Sequence, residues 1–236
     1  FSQNFALVRY NSDGSLDPSF GTGGVVLTPT TNGLAEFHSL LLQPDAKIVG
    51  AGFARVGTQN DFAIVRYNAD GALDTGFGIA GKVTTPIEAN SVDTGLAAVL
   101  QTDNKIIVVG TSLTTTNSNL ALVRYLPNGS LDSSFGGDGI VVTDFGSAGN
   151  TGERATAAAM QQDQKLIVSG STGVTLAAPN DRRDFLTVRY FTRSSPFFDF
   201  DGYGKTDLSI FRPNATSGSE WWWLKSSTGG NAALQF

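Results

Sequence analysis

The sequence predicts an all-β chain built from a repeated, four-stranded antiparallel unit, and three observations lead there. A Phe/Leu-Ala-Leu/Ile-Val-Arg-Tyr segment starts at Phe5, Phe62 and Leu120, each followed by a Gly-Ser/Ala-Leu-Asp-x-x-Phe-Gly loop, and a partial fourth copy runs from Phe185 to Tyr190. Arg9, Arg66, Arg124 and Arg189 mark the period, lying 57, 58 and 65 residues apart. Such self-similarity means that each unit buries its apolar faces against its neighbours. The 28 glycines among 236 residues, with short β-branched runs between them, give many short strands joined by tight turns.

One repeat, taken in order, shows the plan. Leu96 to Gln101 is a short apolar strand, and Thr102-Asp103-Asn104 is turn chemistry. Lys105 to Thr111 is β-branched and too short for a helix. Leu120 to Tyr125 follows, then the Pro127-Asn128-Gly129 turn, then Ile140 to Thr143. Asp13-Gly14, Asp70-Gly71 and Asn128-Gly129 each accommodate positive φ and reverse the chain. A second marker keeps the register: Lys47, Lys105 and Lys165 each follow a Gln-x-Asp-x turn and precede a glycine (Gly52, Gly110, Gly170) by five residues. The Lys-to-Arg distance is 19, 19 and 24 residues, which places about five extra residues in a loop between Ser171 and Asp184. Apolar runs such as Ile106 to Val109 read as strands buried on both faces.

Four antiparallel strands per repeat, stacked radially, make a β-propeller-like array; a solenoid is the alternative. The expected strands are 38–43, 47–53, 62–67 and 82–86, then a second full blade from 96 to about 144. A third, from 155 to 191, lacks an obvious fourth strand, and residues 5–29 supply half a blade. About three blades cannot close, so the array is partial or open, with edges free for self-association. The chain begins at Phe1, already inside a repeat, as an excised fragment would.

The combined Val-Arg-Tyr, Leu-Asp-x-x-Phe-Gly and Asp-x-Lys-Ile-x-Val-x-Gly pattern resembles the bacterial delta-60 repeat family over residues 1–191, with repeats at about 4–59, 60–117 and 118–180 and a partial one at 181–191. The resemblance implies a propeller-like scaffold in large, exported proteins without an assigned activity.

Residues 192–196 read as a linker, and 197–236 follow a different pattern. In the Asp199 to Asp207 segment, carboxylates at relative positions 1, 3 and 9 surround a glycine-rich turn and can converge on a hard cation, which favours six to eight oxygens. The segment resembles the FG-GAP/VCBS-type repeat of extracellular propellers. That resemblance implies calcium bound by Asp199, Asp201 and Asp207 with the Lys205 carbonyl, and an extracellular or cell-surface bacterial location. Tyr203 stands where the family has Asp or Asn, which removes one ligand.

Composition narrows the partners. Net charge is −5 with dispersed basic residues, against the clustered Lys and Arg that nucleic acid requires. No run reaches the roughly 18–20 apolar residues of a membrane-spanning helix. Cysteine is absent, so neither disulfides nor a thiolate metal site exists.

The arginines and the aspartates eight positions on (Arg9/Asp17, Arg66/Asp74, Arg124/Asp132) read as ion pairs that lock the long turn. The alternative is a ring of arginines binding anions in a central channel. Phe20, Phe77 and Phe135 read as plugs between blades, and His38 as a bystander. Trp221-Trp222-Trp223 could stack on sugar rings, although strand alternation lets at most two share a face. Asn128 and Asn214 sit in glycosylation sequons, the first inside a turn. The reading is a non-enzymatic scaffold for adhesion or protein–protein interaction. The alternative is a carbohydrate-binding or polysaccharide-acting propeller, whose acid and base would be a carboxylate pair.

Overall fold

Short β-branched segments flanked by Gly, Asn and Asp turns become sixteen strands in the computed structural model, with no helix among the described residues. The structure describes residues 3–30, 33–145, 152–175, 181–192, 208–212, 220–225 and 230–235. Strands β1 (Phe5–Val8) and β2 (Val25–Thr28) form a two-stranded sheet. β3 (Ala35–Leu42), β4 (Ile48–Val56), β5 (Gln59–Tyr67) and β6 (Lys82–Thr85) form the first complete blade. β7 (Val92–Leu100), β8 (Ile106–Leu113), β9 (Ser118–Tyr125) and β10 (Ile140–Thr143) form the second. β11 (Arg154–Met160), β12 (Lys165–Thr175) and β13 (Asp181–Phe191) form a three-stranded sheet. β14 (Leu208–Arg212), β15 (Glu220–Lys225) and β16 (Gly230–Gln235) form another, with β14 lying against β13. Among the described residues every strand pairs antiparallel with a neighbour consecutive in sequence; the one parallel contact is an isolated bridge from Ser118 to Gly152. This is the expected open, propeller-like array of two complete blades, a half-blade before them and a three-stranded sheet after.

Both faces of the middle strands are buried, which is why their sequences read as unbroken apolar runs. On β5, Phe62 and Ile64 pack toward the following blade, joining Ala98, Ile106, Val108, Ala121, Val123 and Tyr125. The alternate residues Ala63, Val65 and Tyr67 pack toward the half-blade with Phe5. β9 repeats the division, with Leu120 and Leu122 facing Ala155, Leu166, Val168, Leu186 and Val188. Among the described residues the core is therefore three seams between sheets.

The recurrent glycine five residues after each lysine has a steric cause. Gly52, Gly110 and Gly170 sit opposite β-bulges in β3, β7 and β11, and an added Cβ would overlap the carbonyl oxygens of Glu36, Thr94 and Arg154. The predicted Gly14, Gly71 and Gly129 turns also occur, with φ of 85°, 88° and 90°.

The third repeat corrects one expectation. Its additional residues are not confined to a loop: they lengthen both arms of the β12–β13 hairpin to eleven residues each, paired out to Thr175 and Asp181. Pairing satisfies backbone groups that a longer loop would leave to water.

Candidate functional site

The seams concentrate the recurrent chemistry. Each Val-Arg-Tyr strand ends where the following loop folds back, so that the Asp N–H donates to the Arg carbonyl in all three copies, at 2.9–3.0 Å. This return brings Arg Nε within 2.8 Å of Asp Oδ2 in Arg9–Asp17, Arg66–Asp74 and Arg124–Asp132. The guanidinium lies over the buried plug phenylalanine, 4.6 Å from the Phe20 ring centre, 4.3 Å from Phe77 and 4.6 Å from Phe135. The expected pairs and plugs are thus one device, and it occupies the arginines that the channel alternative needs.

Two features of this lock lay beyond sequence reasoning. The first is a third charge. Lys47 Nζ is 3.1 Å from Asp74 Oδ2, and Lys105 Nζ is 3.2 Å from Asp132 Oδ2. The lysines had served only as register marks, and their recurrence at fixed distance from the arginine was the available signal. The second is reach. Arg9 Nη1 donates to the Ala69 carbonyl, Arg66 Nη1 to Pro127 at 2.6 Å, and Arg124 Nη1 to Thr192, in each case a main-chain oxygen of the next sheet. Gly21 and Gly78 N–H groups add seam bonds to Asp70 and Asn128 carbonyls, both at 2.8 Å. On the opposite face, Tyr67, Tyr125 and Tyr190 share hydroxyl hydrogen bonds with Thr28, Thr85 and Thr143 of the preceding sheet, at 2.7–2.9 Å.

The electrostatics follow from this packing. Burial pushes the Asp132 carboxyl up, but hydrogen bonds from Ser134 and Lys105 and the Arg124 charge outweigh it and hold its pKa at about 2. Asp74 shows the same balance, with burial opposed by Lys47, the Gly76 N–H and Arg66, and is lowered. Asp17 is lowered chiefly by the Ser19 hydroxyl and N–H. Burial lifts the Tyr67 phenol to about 12 despite its bond to Thr28.

At the strand ends remote from the locks, two acids show the reverse behaviour. Asp61 of β5 and Asp93 of β7 are both buried, and Asp93 accepts from the Ile87 N–H at 2.8 Å. Burial first, then the charge of Asp93, raises Asp61; burial, with a smaller contribution from Glu88, raises Asp93. Neither position recurs as an acid in every repeat, so periodicity gave no sign of them.

Other predicted residues fall as follows. Asp199, Asp201, Lys205 and Asp207 lie outside the described residues, as do the 193–196 segment and Asn214. Trp221, Trp222 and Trp223 lie on β15, the central strand of its sheet, in register with Phe211, Ile210 and Ser209. His38 is 3.8 Å from Glu36 and stacks on Phe53. Asn128 Oδ1 accepts from the Ser130 N–H and hydroxyl, at 3.0 and 2.7 Å, as a turn residue does. A cleft of about 470 Å³ opens beside the third lock, lined by Gln101, Lys105, Arg124, Ser134, Gln164 and Thr192. Among the described residues no group of acids and histidines is arranged to hold a metal ion, and no helix is long and apolar enough to cross a membrane.

Sheets joined face to face through a repeated lock define a β-propeller-type repeat protein. In agreement, residues 1–20, 43–77 and 101–135 match the model of a family described as a β-propeller domain of unknown function (DUF5122). The three matched stretches end on the plug residues Phe20, Phe77 and Phe135, so the family pattern covers the lock itself. No curated protein matches the chain.

Proposed function

We propose that the chain is a non-enzymatic scaffold for adhesion or protein–protein interaction at a bacterial cell surface. The supporting observation is the use made of the recurrent polar residues. Arg66, Asp74 and Lys47, like Arg124, Asp132 and Lys105, are engaged with one another and with the next sheet, inside a seam. Recurrence therefore serves assembly, and binding is left to the exposed surface that consecutive sheets present together. The extracellular assignment follows the likeness of 197–236 to calcium-loop repeats of exported propellers.

The test is incubation with a panel of polysaccharides, measuring released reducing ends. The scaffold reading expects none. Turnover abolished by a single carboxylate substitution outside the locks would replace it with the polysaccharide-acting alternative.

Calcium is proposed at Asp199, Asp201 and Asp207 with the Lys205 carbonyl. A cation that binds only the folded state raises the melting temperature. Millimolar calcium is expected to raise it in the parent chain and not in Asp201→Ala; an equal rise in both, or none in either, rules the site out.

A further inference from the structure

The loop that joins the two complete blades carries an unbalanced charge. Residues 86–91 connect β6 to β7, and Glu88 lies within them. Asp93 of β7, Ser112 of β8 and Asn119 of β9 stand directly opposite one another in register, so their side chains share one face. That face is turned toward the first blade, because Ala121 and Val123 alternate with Asn119 and pack there against Val49 and Ala51. Glu88 Oε2 accepts from the Ser112 hydroxyl at 2.9 Å and lies 3.4 Å from Asn119 Nδ2, which sets its carboxylate against the row. Ser91, in the same loop, donates its hydroxyl proton to the Glu88 carbonyl at 2.8 Å. In the first blade the same row reads Ala35, Ala54 and Asp61, so the fold itself does not require the polar set.

The atoms left over are acceptors. Asp93 is 0% exposed and Asn119 7%, yet Asp93 Oδ1 and Asn119 Oδ1 accept no hydrogen bond. The Ser91 and Ser112 hydroxyls also stand beside Asp93, but each has one proton, already donated to Glu88. Among the described residues neither Asp93 nor Glu88 belongs to an ion pair. A buried carboxylate oxygen and a buried amide carbonyl side by side both call for positive charge. A proton satisfies one of them; a cation satisfies both.

We propose that Asp93 Oδ1, Asn119 Oδ1 and the Glu88 carboxylate bind a divalent cation of the magnesium class, which pins the inter-blade loop to the second blade. Two carboxylates and one amide oxygen fall short of the six to eight oxygens that calcium takes. Magnesium is held by one or two carboxylates and keeps several waters. Glu88 is only half-buried and gives the ion and its waters a way in. With two acids and an amide, the site differs from the groups of three or more acids and histidines that are absent from the described residues.

The test uses the full chain carrying Asp201→Ala, which lacks a calcium ligand proposed in the tail and so keeps the two sites apart. The probe is manganese(II), which shares magnesium's preference for oxygen ligands and is counted by electron paramagnetic resonance. One ion per chain is expected to bind. Glu88→Gln and Asp93→Asn should each weaken it at least tenfold, and Asn119→Asp, which adds a carboxylate, should tighten it about tenfold. A purely structural role for Asn119 predicts no such gain, and Glu88→Gln, at a half-buried position, decides the matter where Asp93→Asn does not fold. Absence of binding up to millimolar manganese, no weakening by Glu88→Gln, or no gain from Asn119→Asp overturns the site. Calcium bound there more tightly than manganese overturns the magnesium-class assignment. The calcium response of the parent chain can fail without altering any of these results.

Discussion

Arg9–Asp17 and Arg124–Asp132 share a spacing, a 2.8 Å contact and a stacked phenylalanine, yet they lie in different surroundings. The first pair has side chains 35% and 21% exposed, the second 3% and 7%, and the middle pair, Arg66–Asp74, falls between at 9% and 13%. Part of the difference is the inner hairpin. Lys47 and Lys105 stand immediately before β4 and β8, whereas the half-blade has no such hairpin among the described residues. One motif thus yields a solvated pair at the half-blade and, in the complete blades, a largely buried Arg–Asp pair joined by a half-buried lysine. An ion pair in water contributes little, while one whose charges are desolvated cannot lose a member without leaving the others uncompensated.

Asp132→Asn should break that comparison most severely. It leaves the buried Arg124 without its acid, while Lys105 keeps Asp103 at 3.3 Å, and a loss of about 3–5 kcal/mol is expected in urea denaturation. A loss no larger than that of the solvated pair would show that burial does not grade the locks.

Acid should act next. The folded pKa of Asp132 is depressed from its ordinary 3.8 to about 2, so its contribution is complete above pH 4 and disappears as pH falls toward 2. About 2 kcal/mol should be lost across that window. Asp61 and Asp93 have raised pKa values, so their protonation favours the fold as pH falls through those values from neutrality. Melting temperature should therefore pass through a maximum in mild acid before collapsing; a monotonic fall from pH 7 would contradict the opposed signs.

A smaller effect belongs to the tyrosines. Tyr125→Phe removes the partner of the buried Thr85 hydroxyl, and a loss of about 1 kcal/mol is expected. Tyr10, 63% exposed, occupies the equivalent place on the half-blade, and Tyr10→Phe should leave the urea midpoint unmoved. Equal losses would mean that the hydroxyl acts within its own sheet. Least of all should follow from Asp17→Asn, for which no resolvable change in midpoint is expected; a loss approaching that of Asp132→Asn would abolish the gradient.

Much of this architecture could be read from residue order because the repeat compares itself with itself. The eight-residue interval from Arg to Asp is short enough to lie within one strand-and-loop unit, and the structure closes it as an ion pair. The lysine is 27 residues from the same aspartate, on a different strand, and only pairing of β4 with β5 and β8 with β9 brings it near. Asp61 and Asp93 are illegible for another reason: each sits beside polar residues (Gln59-Asn60, and Ser91 and Thr94) that read as an exposed strand end, and its burial depends on which sheet lies opposite. The half-blade was visible from the count of strands in 5–29. The acidic loop at 199–207 lies outside the described residues, so its geometry adds nothing to what the spacing says.

Each arginine reaches across its seam to a main-chain carbonyl, and the residues that carry those carbonyls are an alanine, a proline and a threonine. Every residue type presents that oxygen. A neighbour therefore needs no matching side chain at the point of contact, only a backbone that passes through the right place. Substitution at positions 69, 127 or 192 leaves the acceptor intact, and a unit copied from elsewhere in the array would already present it. The joint between sheets is generic by construction, which lets a gene lengthen or shorten such a chain by whole units without inventing a new interface each time.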